Sequence, residues 1–320
     1  MRALTICTLA AALSLSATAT STAAFAQQQQ PRESAGETLL RGVLDRVLGP
    51  APQATPSPVP TGQAAALTPA QAMQQVLAHP RRNADRARDQ YRHPAETLAF
   101  FGVEPGMTVV DYMPAGGWYS RVLIPYLGAS ATYIGLNPEL HPELTGYWDM
   151  YRGAATRIPA DATGWVGNEG ARVIGLNTDD DLAAHAGTAD RVLIFREIHN
   201  MRRSGWFHDS VLAIRALLKP DGLLGVVQHR ARADAPADYV LGENGYQREE
   251  DVIALFSAYG FDLVARSEIN ANPRDPANWE GGVWSLSPSF GGAPEGSRER
   301  TRRAAIGESD RMTLLFRKRA

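Results

Sequence analysis

The sequence predicts a doubly wound α/β domain built on a largely parallel sheet. From about residue 108 onward, short apolar segments typical of buried strands alternate with segments of helical periodicity. The first of these strands ends in an acid, Asp111, and a glycine-bearing turn at residues 114–117 follows before helical periodicity resumes. Nucleotide-binding sheets commonly begin with such a strand, turn and helix, because the helix N-terminus can approach a ligand there.

The elements follow one another in a regular order. Thr68 and the two residues after it, Pro69 and Ala70, predict the capped start of a helix. Five parallel strands are predicted at residues 108–111, 132–136, 171–176, 191–195 and 223–228. Helices are predicted at residues 119–127, 182–186, 207–218 and 249–259. A Lys-Pro-Asp-Gly turn at residues 219–222 separates the third helix from the fifth strand, and two last strands are predicted at residues 261–266 and 312–317.

A long insert precedes the last strand. Residues 270–309 are polar and contain glycines and two tryptophans, Trp279 and Trp284. Segments of this length inside a domain are usually functional lids or disordered. The tryptophans suit an aromatic lid over an apolar substrate, and they equally suit anchors that hold the segment to the core.

The N-terminal residues predict an export signal. Arg2 precedes an apolar stretch, and Ala24-Phe25-Ala26 forms a small-x-small cleavage site before Gln27. We therefore expect residues 1–26 to be a signal peptide and the protein to be periplasmic, with an uncleaved anchor as the alternative. No later segment approaches the roughly 20 apolar residues of a membrane-spanning helix. The only cysteine, Cys7, lies within the signal.

A tether is predicted between the signal and the domain. Residues 27–66 contain a glutamine run and then several prolines, a composition typical of extended disorder. Within it, apolar residues between 39 and 48 recur at helical spacing and predict a short amphipathic helix. The folded domain is expected over residues 67–320.

Composition limits the classes of function. With 320 residues and 44% hydrophobic content, the chain can bury a full core. The formal net charge of -2 does not favour nucleic-acid binding. A chain without Cys7 has no cysteine for a disulfide or a metal site. Composition therefore argues against a nucleic-acid partner and against cysteine-based sites, and the oligomeric state is not predicted.

Several motifs resemble a group of exported bacterial proteins described as predicted class I S-adenosylmethionine-dependent methyltransferases. The similarity extends over residues 81–318, and the motifs that carry it lie at residues 88–94, 114–119, 195–200, 225–230, 267–273, 282–286 and 306–313. The resemblance implies a Rossmann-like class I methyltransferase sheet with strands one, four and five as neighbours. It also implies S-adenosylmethionine as the cofactor and a small or lipid-like oxygen or nitrogen acceptor.

The resemblance places the cofactor at the ends of the first two strands. The residues expected to bind it are Asp111, Ala115, Gly116, Gly117, Tyr119 and Asn137. Two departures bear on affinity. Ala115 stands where the group usually has glycine, which is tolerable only at negative φ. Asn137 stands where many class I methyltransferases have an acid for the ribose, a loss of about 1 kcal/mol.

Two histidines are candidates for catalysis. His199 and His229 follow the fourth and fifth strands, so we expect them to converge on one cleft with Asp111. They suit a general base and a substrate holder, because imidazole titrates near neutral pH. A metal pair and a purely structural role in holding loops are the alternatives.

Further residues are candidates for substrate contact. Tyr91, Arg196, Arg230 and Trp284 are the residues predicted to contact substrate. An internal ion pair is the alternative for the arginines, and a surface position is the alternative for Tyr91. Methyl transfer is the leading hypothesis. A non-catalytic ligand-binding module and a metal-assisted hydrolase based on the histidine pair are the alternatives.

Overall fold

The computed structural model describes residues 67–319, and a seven-stranded sheet of order β3-β2-β1-β4-β5-β7-β6 lies at their centre. The strands are β1 Thr108–Tyr112, β2 Thr132–Asn137, β3 Arg172–Asn177, β4 Ala189–Phe195, β5 Leu218–His229, β6 Phe261–Ser267 and β7 Arg311–Lys318. The first five strands pair in parallel, and β7 is antiparallel to both β5 and β6. The predicted doubly wound, Rossmann-like class I methyltransferase sheet is confirmed, with β1, β4 and β5 as neighbours.

Helices cover both faces of the sheet. They are α1 Pro69–Ala78, α2 Asp89–Arg92, α3 Pro94–Phe100, α4 Ser120–Leu127, α5 Ala154–Val166, α6 Ile198–Arg203, α7 Phe207–Leu217, α8 Glu249–Ala258 and α9 Arg298–Ile306. The predicted start of α1 is confirmed, because the Thr68 hydroxyl accepts from the Gln71 amide and the Gln71 side chain accepts from the Thr68 amide.

Successive side chains along each strand point to opposite faces of the sheet, so the core is divided into two apolar layers. Val110 and Ile194 point to the layer that contains residues of α7 and α8, such as Ile214. Their neighbours Val109 and Leu193 point to the opposite layer, which contains residues of α1, α4 and α5. A sheet buried on both faces leaves its carboxyl edge as the place for a ligand.

The insert is ordered and has a small core of its own. It contains a 3-10 turn at Gly282–Ser285 and the helix α9. Trp279, Val283 and Leu286 pack there with Tyr246, which precedes α8. The Trp279 ring is also fixed by a hydrogen bond from its Nε1 to Asp275 at 2.9 Å. Of the two alternatives for Trp279, the structure shows the anchor.

Some elements differ from the prediction. The helix predicted at residues 182–186 is a single 3-10 turn, Ala183–His185, and the Lys-Pro-Asp-Gly segment lies inside β5. Helix α5 was not predicted, because Pro159 within it disfavours a helix in any local interpretation. Packing of α5 against β2 and β3 overrides that local preference.

The predictions for the N-terminal residues lie outside the described part of the chain. These are the signal at residues 1–26, the tether at residues 27–66 and the amphipathic segment at residues 39–48, and all of them stay predictions. Within residues 67–319, no helix combines the length and apolar character needed to span a membrane.

Candidate functional site

A cavity of about 430 Å³ lies at the carboxyl edge of the sheet. Its wall combines the turn after β1 with the start of α4, the residue after β4, the end of β5, the segment that leads into α2, and the insert with the start of β7. Because five arginines line it, we call it the arginine cavity. Its lining includes Ala84, Asp85, Arg88, Arg92, Pro114, Ala115, Gly116, Trp118, Arg121, Arg196, His229, Val283, Trp284, Ser287, Pro288, Ser289, Glu308, Ser309 and Arg311. Its size and position are those of a small-molecule site.

The turn after β1 has left-handed residues at alternate positions. The φ angles are 49° at Met113, 52° at Ala115 and 74° at Gly117. The Gly117 amide donates to the Pro114 carbonyl at 3.0 Å, which closes the turn. Ala115 therefore does not have the negative φ that would make its methyl group tolerable, and the left-handed backbone costs about 1–2 kcal/mol there.

The two glycines of the turn have different surroundings. A Cβ at Gly116 would have no atom within 4 Å, and Gly116 lines the arginine cavity. A Cβ at Gly117 would lie 2.7 Å from the Trp165 ring of α5, so that ring covers Gly117. The turn is consequently open on its Gly116 side and covered on its Gly117 side.

Asp111 and Asn137, both predicted to bind the cofactor, are buried away from the arginine cavity. Asp111 is 2% exposed and accepts a hydrogen bond from Tyr133 Oη at 2.9 Å. Asn137 is 3% exposed, and its Nδ2 donates to the Gly135 carbonyl of its own strand at 3.5 Å. The structure therefore does not place Asp111, Gly117 and Asn137 in the cavity that Ala115 lines.

Burial dominates the electrostatics of Asp111. Loss of solvation raises the pKa of Asp111 to about 7, against the opposing effect of the hydrogen bond from Tyr133. Glu197, the second residue after β4, behaves in the same way. Burial raises the pKa of Glu197 to about 7, although Asn200 donates a hydrogen bond to it at 2.7 Å. Both carboxyl groups are thus partly protonated near neutral pH.

The two candidate histidines lie near one another, but they do not share the arginine cavity with each other or with Asp111. The rings of His199 and His229 lie 5.5 Å apart at an angle of 60°. Only His229 lines the arginine cavity, and its Nδ1 lies 2.5 Å from Ser309 Oγ. His199 lies in α6, its Nδ1 is 3.3 Å from the Gln228 amide nitrogen, and its ring packs edge-on against Trp284.

Both rings are neutral at physiological pH. Burial, followed by the charge of Arg203, lowers the pKa of His199 to about 3. Burial, followed by the charge of Arg311, lowers the pKa of His229 well below its usual value. Within residues 67–319, no group of three or more His, Cys, Asp or Glu side chains is arranged to hold a metal ion. The metal interpretation therefore lacks a third ligand among these residues.

One buried carboxylate is shared by three arginines in the cavity wall. Glu308 is 1% exposed and accepts from Arg88 Nε at 2.5 Å, from Arg92 Nε at 3.2 Å and from Arg311 Nη2. Burial alone would raise the pKa of Glu308, but the arginine charges together hold it well below its usual range. This network joins the segment before α2 to the start of β7.

A second ion pair fixes the turn. Arg121 of α4 donates to both carboxylate oxygens of Asp85, at 2.6 and 2.7 Å, and to the Gly116 carbonyl at 2.8 Å. Such a bidentate pair is geometrically specific. It holds the backbone of Gly116 at the wall of the arginine cavity.

The remaining predicted site residues divide into two groups. Arg196 and Trp284 line the arginine cavity, as Ala115 and Gly116 do. Tyr119 does not line it, because its ring stacks on Phe195 with centroids 3.5 Å apart. Two predicted substrate residues also lie elsewhere. The Tyr91 ring packs on Gly307, and Arg230 pairs with Asp310, Glu268 and Glu249.

Sequence reasoning missed several residues of the wall. Arg88, Glu308 and Arg311 belong to the motifs that carry the resemblance, but no role was assigned to them. Their meeting depends on contacts more than 200 residues apart in the chain. Glu308 lies three residues before Arg311 in the last of those motifs, and this spacing was the available signal, although by itself it does not identify a partner.

Comparison with known proteins gives structural likenesses only. No protein family model matches the chain, and no curated protein matches it. Among solved structures, it is similar to a SAM-dependent methyltransferase from Aquifex aeolicus, with 16% identity, 64% of this chain and 94% of that chain covered, and a TM-score of 0.42.

Two further structures have ligands in their descriptions. One is 1,6-didemethyltoxoflavin-N1-methyltransferase from Burkholderia thailandensis with bound 1,6-didemethyltoxoflavin and S-adenosylhomocysteine, at 14% identity, 80% and 93% coverage and a TM-score of 0.38. The other is geranyl diphosphate C-methyltransferase from Streptomyces coelicolor A3(2) in complex with Mg2+, geranyl diphosphate and S-adenosyl-L-homocysteine, at 10% identity, 78% and 87% coverage and a TM-score of 0.46. The likeness concerns the fold alone.

Proposed function

We propose that this protein transfers a methyl group from S-adenosylmethionine to a small-molecule acceptor in the arginine cavity. One observation carries the proposal. The cavity lies at the carboxyl ends of β1, β4 and β5, and the turn after β1 forms part of its wall. In doubly wound sheets, ligands bind at this edge, against the turn that joins the first strand to its helix.

The residues on the cavity side of the turn fit this cofactor. Gly116 leaves an open space where a side chain would otherwise stand, so a ligand can approach the backbone closely. Arginines in the wall suit the carboxylate of the cofactor. The Gly117 side does not offer the same access, because a ligand there has to displace the Trp165 ring. The proposed binding residues are therefore Pro114, Ala115 and Gly116, with cavity arginines.

When bound, S-adenosylmethionine supplies an electrophilic methyl group. The protein contributes the positioning of the acceptor and the exclusion of water, which the insert provides through Trp284. His229 is neutral and lines the cavity. Its Nδ1 faces Ser309, so Nε2 is the ring atom available to a ligand. In the tautomer with the proton on Nδ1, Nε2 accepts the proton that the acceptor loses.

A ligand-binding module without catalysis is the second candidate. The lowered pKa values of His199 and His229 favour it, because rings with such pKa values hold a proton weakly. Both candidate functions use the arginine cavity, but only a methyltransferase would convert its ligand to a product. Formation of S-adenosylhomocysteine in the presence of an acceptor separates them.

Calorimetric titration with S-adenosylmethionine and S-adenosylhomocysteine tests the proposal. The strained turn at Ala115 and the covered Asn137 each weaken binding, so we expect a dissociation constant in the range of about 1–50 µM. Heat that is absent for both ligands at millimolar concentration would reduce the relation with methyltransferases to a shared fold.

A pair of glycine variants shows where the ligand binds. Gly116→Leu places a side chain in the open space of the cavity without a positive φ to strain it, and it should abolish binding. Gly164→Leu is the matched control, since Gly164 of α5 is equally open and does not line the cavity. Equal loss of binding in both variants would contradict a site at Gly116.

We also propose that the protein is exported to the periplasm. Arg2, the apolar stretch and the cleavage site before Gln27 support this. Cell fractionation should yield a mature chain that starts near Gln27 in the periplasmic fraction. A cytosolic protein that retains Met1 would contradict it.

A further inference from the structure

Arg196 differs from the other arginines of the cavity. Arg88, Arg92 and Arg311 donate to Glu308, and Arg121 donates to Asp85. The Arg196 guanidinium has no hydrogen-bond partner among residues 67–319, although it lies in the cavity wall. A guanidinium carries five donors, and leaving them unpaired in a partly enclosed site is costly.

The backbone of Arg196 is strained. Its φ angle is 65°, in the left-handed region that residues other than glycine rarely adopt, and its amide donates to the Val227 carbonyl at 2.7 Å. Such a conformation costs roughly 1–3 kcal/mol and persists where the surrounding structure imposes it, often at functional sites. Here it occurs directly after β4, at the carboxyl edge of the sheet.

The cavity has an excess of positive charge. Its wall contains five arginines and only two carboxylates, Asp85 and Glu308, while His229 is neutral. Asp85 compensates Arg121, and Glu308 is shared among three other guanidiniums. Arg311 also has a buried Nε without a partner. The wall therefore carries a formal excess of three positive charges around a space of about 430 Å³.

We infer that the arginine cavity is an anion-binding site in which Arg196 receives a carboxylate or phosphate group of a small ligand. A planar guanidinium matches either group through two parallel hydrogen bonds. The inference does not depend on methyl transfer, because the anion can belong to the cofactor or to an acceptor.

The anion also affects His229. The charges of Arg311 and Arg196 are among the causes that lower the pKa of this ring. An anion between these side chains offsets those charges, so it should raise the pKa of His229. Occupied and empty cavities therefore differ in the basicity of the ring that faces the ligand.

Titration of the protein with inorganic phosphate tests the inference. We expect millimolar binding, a thermal midpoint that rises with phosphate, and an upward shift of the His229 pKa followed by NMR. Arg196→Gln should weaken phosphate binding about tenfold or more. The variant should remain folded, and without phosphate its thermal midpoint should be equal or higher, because Arg196 has like charges nearby.

Arg317→Gln is the matched control, since it removes the same charge from an exposed position on β7 outside the cavity. It should leave phosphate binding unchanged. Absence of phosphate binding, or equal weakening in both variants, would overturn the inference.

A second arm identifies the source of the anion. Competition between phosphate and S-adenosylhomocysteine assigns the site to the cofactor's carboxylate and supports the inference. Phosphate binding that persists at saturating S-adenosylhomocysteine assigns the site to an anionic acceptor and supports it equally. Failure of S-adenosylhomocysteine to bind, with phosphate binding intact, contradicts the proposed function and leaves the anion site standing.

Discussion

The two sides of β1 offer different surroundings at the same edge of the sheet. Toward β4 and β5, the edge opens into the arginine cavity, and we call this the open side. Toward β2 and β3, Trp165 covers Gly117 and Asn137 is 3% exposed, so we call this the closed side. The fold alone would place a ligand along the whole edge. Side-chain packing restricts it to one part.

This difference shows how side-chain packing can cover part of a sheet edge that the topology alone leaves open. On the closed side, α5 packs so tightly that Ile158 lies within 2.6 Å of a Cβ built at Gly135. On the open side, five arginines and two carboxylates form much of the wall, beside apolar residues such as Trp118 and Trp284. Variants on each side can test whether charge stabilises the open side and whether Trp165 covers the closed side.

Removal of the central carboxylate of the open side should have the largest effect. Glu308→Gln keeps the shape but leaves the buried Arg92 and Arg311 without their charged partner. We expect a loss of about 3–5 kcal/mol in the free energy of unfolding, measured by urea denaturation. Glu299→Gln is the control, because Glu299 of α9 is partly exposed where it pairs with Arg302 and Arg303, and its loss should change stability little. Similar effects of the two variants would mean that the Glu308 network contributes little.

Asp111, buried at the end of β1 between the two sides, should make the free energy of unfolding depend on pH. Its folded-state pKa is raised to about 7, while the unfolded value is about 3.9. The folded protein therefore binds the extra proton, and stability falls as pH rises from about 4 to about 7. Asp111→Asn removes this loss. Relative to the wild type, the free energy of unfolding of the variant should therefore rise between pH 5 and pH 8, by a few kcal/mol at most, as measured by urea denaturation. If the free energies of unfolding of variant and wild type differ by the same amount at pH 5 and at pH 8, the burial of a protonated Asp111 is contradicted.

Gly117 tests the closed side. Gly117→Ala places a methyl group 2.7 Å from the Trp165 ring at a φ of 74°, and should cost about 2–3 kcal/mol. Gly116→Ala, next to it and open, should cost under about 1 kcal/mol. When Gly117→Ala is combined with Trp165→Ala, the contact with the ring is lost. Only the cost of the positive φ at residue 117 should then remain. Additive effects would show that Trp165 does not cover the turn.

The smallest expected effect concerns the shared turn. Ala115→Gly relieves a left-handed alanine, a gain of about 1–2 kcal/mol that the greater freedom of unfolded glycine reduces to roughly 0.5–1. Ala304→Gly in α9 is the control and should lose about 0.5–1 kcal/mol. A loss at both positions would contradict the positive φ of Ala115.

The strands were largely predictable, because the residues of the buried parallel strands are apolar in runs that local composition identifies. The start of α1 was predictable from its capping residues. Helix α5 was not, since Pro159 and Gly164 oppose a helix locally and only packing against β2 and β3 stabilises it.

The site was predictable in part. The proximity of His199 and His229 followed from the expected neighbours β4 and β5. Arg196 was predicted as a substrate contact, and the structure places it in the wall of the arginine cavity. The position of Trp165 over Gly117 was not predictable, because it depends on the helical phase of α5. The sharing of Glu308 by Arg88 and Arg92 depends on contacts across the whole domain.

A crystal structure with S-adenosylhomocysteine tests the central claim most directly, namely that ligand binding belongs to the open side. We predict ligand density in the arginine cavity in contact with Gly116, an anionic group within hydrogen-bond distance of Arg196, and a Trp165 ring that still covers Gly117. Ligand density against Gly117 and Asn137, with Trp165 displaced and the arginine cavity empty, would contradict it.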